Sequence, residues 1–206
     1  MSKLQIKKEI EFKWSIFKAK EFNLFLTAVK EMGLSIKSCG RQNITDYYLV
    51  NRNNILYLKQ KRTRIRRVGK AWYLTRKTLS KLKRGFVQRI EETKRLPAFE
   101  NIQNALKYVQ KFFLNPPILN VHFVIKNQRA RYLLKDRKLL AAVSFDRVRI
   151  NGKKKTIQMM EIELELLKGN LTDFKNLTRK ITRLSSLSPS KRSKVATALH
   201  SLFLKK

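Results

Sequence analysis

The chain has 206 residues, of which 48 are Lys or Arg and 14 are Asp or Glu, giving a formal net charge of +34. A hydrophobic fraction of 43% with 10% aromatics excludes a disordered chain, and no apolar run approaches the roughly 20 residues of a membrane helix. The single cysteine, Cys39, excludes an intrachain disulfide and a zinc site built on several thiolates, and it points to a reducing, cytoplasmic setting.

Residues 5–14 read as a strand in which Glu9, Glu11 and Lys13 alternate with Ile10, Phe12 and Trp14. A helix is predicted over 18–32, with Phe22, Phe25, Leu26 and Val29 at i, i+3, i+4, i+7 and Gly33 at its end. From about 45 to 95 the period is two: Ile55 to Leu58, Arg64 to Arg66, Trp72 to Thr75 and Phe86 to Glu92. Turn signals fall at Asn51 to Asn54, Val68 to Lys70 and Lys83 to Gly85. A helix is expected over 98–113, ended by Pro116-Pro117. Strands return at 119–126, 129–136, 139–150 and 156–167, with a hairpin turn at Asn151-Gly152-Lys153.

Two helices, near 171–186 and 190–204, finish the chain, with Ser188-Pro189-Ser190 as the N-cap of the last. The tally is an α+β chain: an eight-stranded antiparallel barrel or strongly curved sheet, helices packed outside it, and two C-terminal helices. Residues 1–206 read as one domain with no appended helical domain.

Polar residues recur at i, i+2 in strand after strand. Glu9, Glu11 and Lys13 share a face, as do Arg64 and Arg66, Thr75 and Lys77, Arg89 and Glu91, and Arg129 and Arg131. Asp146 sits in mid-strand, and Glu161, Glu163 and Glu165 close the series. One reading is the solvated face of an antiparallel sheet. The other turns the barrel inside out, so that the polar face lines a channel. Carboxylates there suit hard cations such as Mg²⁺ or Mn²⁺, and Arg and Lys suit phosphate oxygens. The two together suit phosphoryl transfer.

Glu9-Ile10-Glu11-Phe12-Lys13 resembles the E-x-E-x-K signature of the CYTH domain, the triphosphate tunnel metalloenzyme superfamily. Arg64-Ile65-Arg66, Thr75-Arg76-Lys77, Arg89-Ile90-Glu91, Arg129 to Tyr132, Phe145-Asp146, Glu161 to Glu165 and Ser193-Lys194 are similar to further elements of that family, in order. The closest flavour is that of bacterial inorganic triphosphatases. The resemblance implies an eight-stranded tunnel that holds a triphosphate with two divalent cations, Mg²⁺ or Mn²⁺. It implies Glu9, Glu11, Asp146, Glu161 and Glu163 as metal ligands. Lys13, Arg64, Arg66, Lys77, Arg89, Arg129, Arg131 and Lys194 would hold phosphates, with Lys77, Arg89 and Glu91 catalytic. Arg131 and Glu165 would stand at the mouth or in support. The family's acid and hydroxyl after the strand tyrosines are replaced here by Leu49-Val50, and Asp46 lies just before the tyrosines and out of phase with the missing acid.

The function implied is metal-dependent hydrolysis of inorganic triphosphate. The alternatives are an adenylate cyclase-type lyase, an RNA or nucleoside 5′-triphosphatase, and a non-catalytic binder of polyphosphate or RNA. The partners expected are a triphosphate-containing small molecule and, through the basic surface, a polyanion. The few acids are expected where metal binds, while the basic excess faces the anion. His122, His200, Trp14 and Trp72 read as surface or packing residues.

Overall fold

The computed structural model describes residues 3–51, 62–78, 84–113, 119–152 and 155–203. The elements are β1 Gln5–Ile16, α1 Glu21–Glu31, β2 Ser35–Asn51, β3 Arg62–Val68, β4 Ala71–Lys77, β5 Phe86–Leu96, α2 Ile102–Phe113, β6 Leu119–Lys135, β7 Leu140–Asn151, β8 Thr156–Lys168, α3 Leu171–Ser185, the two-residue β9 Ser188–Pro189 and α4 Lys194–Phe203. The expected strand at Ile55 to Leu58, the turn residues Arg52 to Asn54 and Lys83, and the stop at Pro116-Pro117 lie outside the described residues. So do Lys153 and Lys154 of the last hairpin turn.

The strands run antiparallel in the order β5-β4-β3-β2-β6-β7-β8-β1, and β5 pairs with β1 to close an eight-stranded barrel. Closure removes the sheet edges that would otherwise be open to foreign strands. The turn into β5 is pinned to β1: the Lys13 amide donates to the Gly85 carbonyl at 3.0 Å. Gly85 has φ +84°, and a Cβ there would lie 2.8 Å from the Phe12 ring and 2.9 Å from the Lys13 carbonyl oxygen. Only glycine fits both demands.

The outer face carries most of the apolar packing. Phe22, Phe25 and Val29 of α1 join Phe174, Leu177 and Ile181 of α3 against Trp14, Ile162 and Leu164. On the opposite wall α2 lays Ala105, Leu106 and Val109 over Leu49, Ile65, Trp72 and Leu74. Trp14 and Trp72 are fully buried packing residues whose indole N–H groups donate to Thr182 Oγ1 and the Phe99 carbonyl. With the apolar faces turned outward, the charged i, i+2 faces are left for the interior.

Four details depart from the expected elements. No strand is expected over 35–44, yet these residues form the first half of β2. β6 is one continuous strand rather than two, because Lys126, Asn127 and Gln128 form a polar run without being a turn: Asn127 faces the interior, and its neighbours face solvent. α2 starts at Ile102, where the Asn104 amide donates to Asn101 Oδ1. α4 starts at Lys194, capped by Ser193, which accepts from the Ala196 amide at 3.2 Å. Ser188-Pro189, expected as that cap, instead bridges to β1 opposite Ser15 and Trp14.

Candidate active site: a charged barrel interior

The interior changes character along the strands. Towards one end Tyr48, Val50, Phe123, Ile125, Val148 and Ile150 pack against Val195 and Ala198 of α4, which fills the barrel there. Beyond that plug lies a cavity of about 150 Å³ lined mainly by charged side chains. Lys194, the first residue of the plug helix, reaches back into it.

Asp146, Glu161 and Glu163 each offer an oxygen within 4.8 Å of the others. Register places Asp146 opposite Glu161 and Glu163 opposite Lys13. Lys194 Nζ donates to all three, at 2.8, 2.5 and 2.9 Å in that order. Lys13 joins Glu163, with Glu11 at 3.2 Å and Glu161 at 3.7 Å. Arg129 forks onto Asp146 at 2.7 and 2.6 Å and reaches Glu163 at 2.5 Å. Of the other predicted acid pair, Glu11 meets this cluster through Lys13, and Glu9 belongs to a second set of ion pairs. Glu9 is held by Lys77 at 2.9 and 3.0 Å and by Arg89, whose Nη2 also donates to Glu11 at 2.6 Å. Lys77 pairs in turn with Glu91.

Burial and charge set the protonation states. Burial opposes charge on Glu9, yet Lys77 and Arg89 hold its carboxyl far below the usual range. Burial likewise opposes charge on Glu163 and Asp146. Lys13, Lys194 and Arg129 keep Glu163 low, and Lys194 and Arg129 do so for Asp146. Glu161 behaves differently: complete burial, helped by Glu163, lifts it to about 7 against Lys194 and Lys13. Lys77 is pushed down by burial and by Arg89, against the pull of Glu9.

Of the predicted residues, Arg131 alone is left out of the charged interior. It follows Arg129 on the same face of β6 but is exposed and does not line the cavity. Glu165 pairs with the half-exposed Lys7 at the rim of the lining. Asp46 is out of phase with Leu49, the position of the replaced acid, and it faces the interior. It shares its face with Tyr48, is buried, and takes a fork from Arg66 at 2.7 and 2.9 Å with Arg64 at 3.3 Å. At Leu49-Val50, where the family acid and hydroxyl are replaced, Leu49 packs under α2 and Val50 against the plug.

Sequence reasoning passed over five polar lining residues: Lys7, Tyr48, Arg62, Asn127 and Ser144. The signal was the same period of two, since each stands two residues from a tunnel residue: Glu9, Asp46, Arg64, Arg129 and Asp146.

The charge balance overturns a further expectation. Nine cations line the cavity, Lys7, Lys13, Arg62, Arg64, Arg66, Lys77, Arg89, Arg129 and Lys194, with six carboxylates, Glu9, Glu11, Asp46, Glu91, Glu163 and Glu165. Asp146 and Glu161, buried in the wall, bring the acids to eight. Nine against eight is near neutrality. Of the 39 basic and 14 acidic residues described, 30 and six therefore lie outside the tunnel lining. Among the described residues the basic excess does not face the tunnel.

The carboxylate cluster fits a hard cation. Its donors are all oxygens, Glu161 Oε2 is buried with no hydrogen-bond donor, and an ammonium group already sits among the three acids.

The CYTH domain model matches residues 7–199. The chain belongs to the CYTH domain family. Three solved structures share the fold at low identity. An adenylyl cyclase candidate from Hippeastrum, described as having a dominant triphosphatase activity, is 15% identical with a TM-score of 0.65 over 95% of this chain and 97% of that one. An adenylate cyclase candidate from Bacillus halodurans is 16% identical, with a TM-score of 0.57 over 97% and 99% of the two chains. A protein from Pyrococcus horikoshii is 15% identical, with a TM-score of 0.59 over 93% and 98%. No curated protein sequence matches the chain. Among the described residues no helix is long and apolar enough to cross a membrane.

Proposed function

We propose that this CYTH domain hydrolyses a triphosphate, inorganic triphosphate foremost, with Mg²⁺ or Mn²⁺. The observation that carries the reading is the near-neutral tunnel whose acids gather at Asp146, Glu161 and Glu163. Side-chain charge alone gives such a cavity little net attraction for a polyanion. Added cations on the carboxylates would tip the balance and free Lys13, Arg129 and Lys194 to turn towards phosphate.

Asp146, Glu161 and Glu163 would hold one cation, with Glu9 and Glu11 the candidates for a second. When bound, such an ion polarises a phosphoryl oxygen and lowers the pKa of a water. The forked guanidinium groups of Arg64, Arg66 and Arg129 match phosphate oxygens in pairs. Water attacks the terminal phosphorus, the bond to the bridging oxygen breaks, and diphosphate leaves. Lys77, whose pKa is pushed down, is suited to give a proton to the leaving oxygen. Arg89 steadies Glu9 and Glu11, and Glu91 holds Lys77 from the other side.

The Hippeastrum neighbour, an adenylyl cyclase candidate described as having a dominant triphosphatase activity, sets the test. Purified protein is given inorganic triphosphate, ATP and an RNA 5′-triphosphate, each with Mg²⁺ or Mn²⁺, and all products are identified. Phosphate release, fastest from inorganic triphosphate, is expected; cyclic AMP as the main product, or no turnover of any substrate, would refute the proposal.

A further inference from the structure

Charge that the tunnel does not use must lie elsewhere, and part of it is organised. Register aligns Lys126 of β6 with Arg149 of β7 and Gln158 of β8, and Gln128 with Arg147 and Met160. Lys126, Gln128, Arg147 and Arg149 are all exposed and alternate with tunnel residues such as Asn127 and Asp146, so they face away from the cavity. They line a groove of about 810 Å³. Gln128 and Arg147 also line a second groove, of about 520 Å³, that carries Arg41. Among the described residues neither groove contains Asp or Glu. The Arg147 guanidinium sits 5.6 Å from the centroid of the Phe145 ring, which fixes its position. At the rim Phe17 is 82% exposed, an aromatic ring with a free face.

We propose that this outer face of β6, β7 and β8 binds single-stranded nucleic acid. Arg147 and Arg149 stand two residues apart on one strand, about 7 Å along it, and present a row of cations to a phosphodiester backbone. Phe17 offers a platform on which a base stacks, and the Gln128 and Gln158 amides can meet base edges. A bare polyphosphate would satisfy the cations but leave Phe17 without a role. The site lies on the opposite face of the sheet from the tunnel and does not depend on its chemistry.

The test is fluorescence anisotropy with a labelled single-stranded RNA of about 15 nucleotides ending in a 5′-hydroxyl, so that no triphosphate addresses the tunnel. Binding is expected to weaken steeply with salt. The double variant R147E/R149E should bind at least about tenfold more weakly, with a salt slope smaller by roughly 1.4, two phosphate contacts' worth. F17A should lose at least about fivefold for RNA and nothing for long-chain polyphosphate. As a control for overall charge, K107E/K111E on the exposed side of α2 makes the same charge change and should cost less than a third as much affinity. Circular dichroism melts confirm that each variant is folded. Equal losses for the two double variants, or an unchanged RNA affinity in F17A, would overturn the proposal.

Discussion

Asp46 shows how one side chain can hold two others in a charged interior. Burial opposes its charge, but Arg64 and Arg66 hold its carboxyl far below the ordinary 3.8. A depressed acid adds stability that is complete above its unfolded pKa and is lost as pH falls through the folded one. Asp46→Asn leaves two largely buried guanidinium groups without a counter-charge, and at pH 7 we expect it to cost about 3 kcal/mol. That gap should be constant above about pH 5 and should narrow steadily as pH drops below 3.8, because the wild-type carboxyl then binds a proton in the unfolded chain that it does not bind in the folded one. Urea melts across that range test it, and a gap that does not change with pH would contradict the pairing. The sequence shows Asp46 out of phase with the family's acid position at Leu49, but not which face it takes; the period of two from Tyr48, which lines the tunnel, would have turned it inward.

Elements were more legible than their ends. Alternation placed seven of the eight barrel strands at or near their observed positions, because a closed barrel with a charged interior and helices outside imposes a strict period of two. It failed at Lys126 to Gln128, where interior and solvent are both polar and three polar residues in a row look like a turn. It also missed the plug. Phe123, Ile125, Val148 and Ile150 point inward like Asp146, yet they are apolar because α4 fills that end. Nothing in one strand reveals that the medium it faces changes halfway along.

Two variants probe these joints. Ser193→Ala removes the cap of the plug helix and should lower stability by about 1 kcal/mol, read as a reduced melting temperature. Gly85→Ala forces a Cβ against the Lys13 carbonyl at positive φ and should cost about 1–3 kcal/mol in strain alone. A G85A protein as stable as wild type would show that this turn does not sit where described.

For the whole molecule, the distribution of charge matters more than its sum. Nine cations and eight acids inside leave the basic excess of the described residues outside the tunnel, so the two should respond differently to conditions. Added salt should weaken polyanion binding at the outer surface steeply, while turnover of a small triphosphate should depend first on divalent cation.

That dependence is the most direct test of the central claim. Phosphate release from inorganic triphosphate is measured on chelator-treated protein across a titration of Mg²⁺ or Mn²⁺, for wild type and for Glu163→Gln. The account predicts no turnover without metal, saturable recovery on adding it, and a loss of about a hundredfold or more in Glu163→Gln, comparable to removing one group that stabilises a transition state. Turnover that persists in chelator, or that Glu163→Gln leaves unchanged, would contradict it.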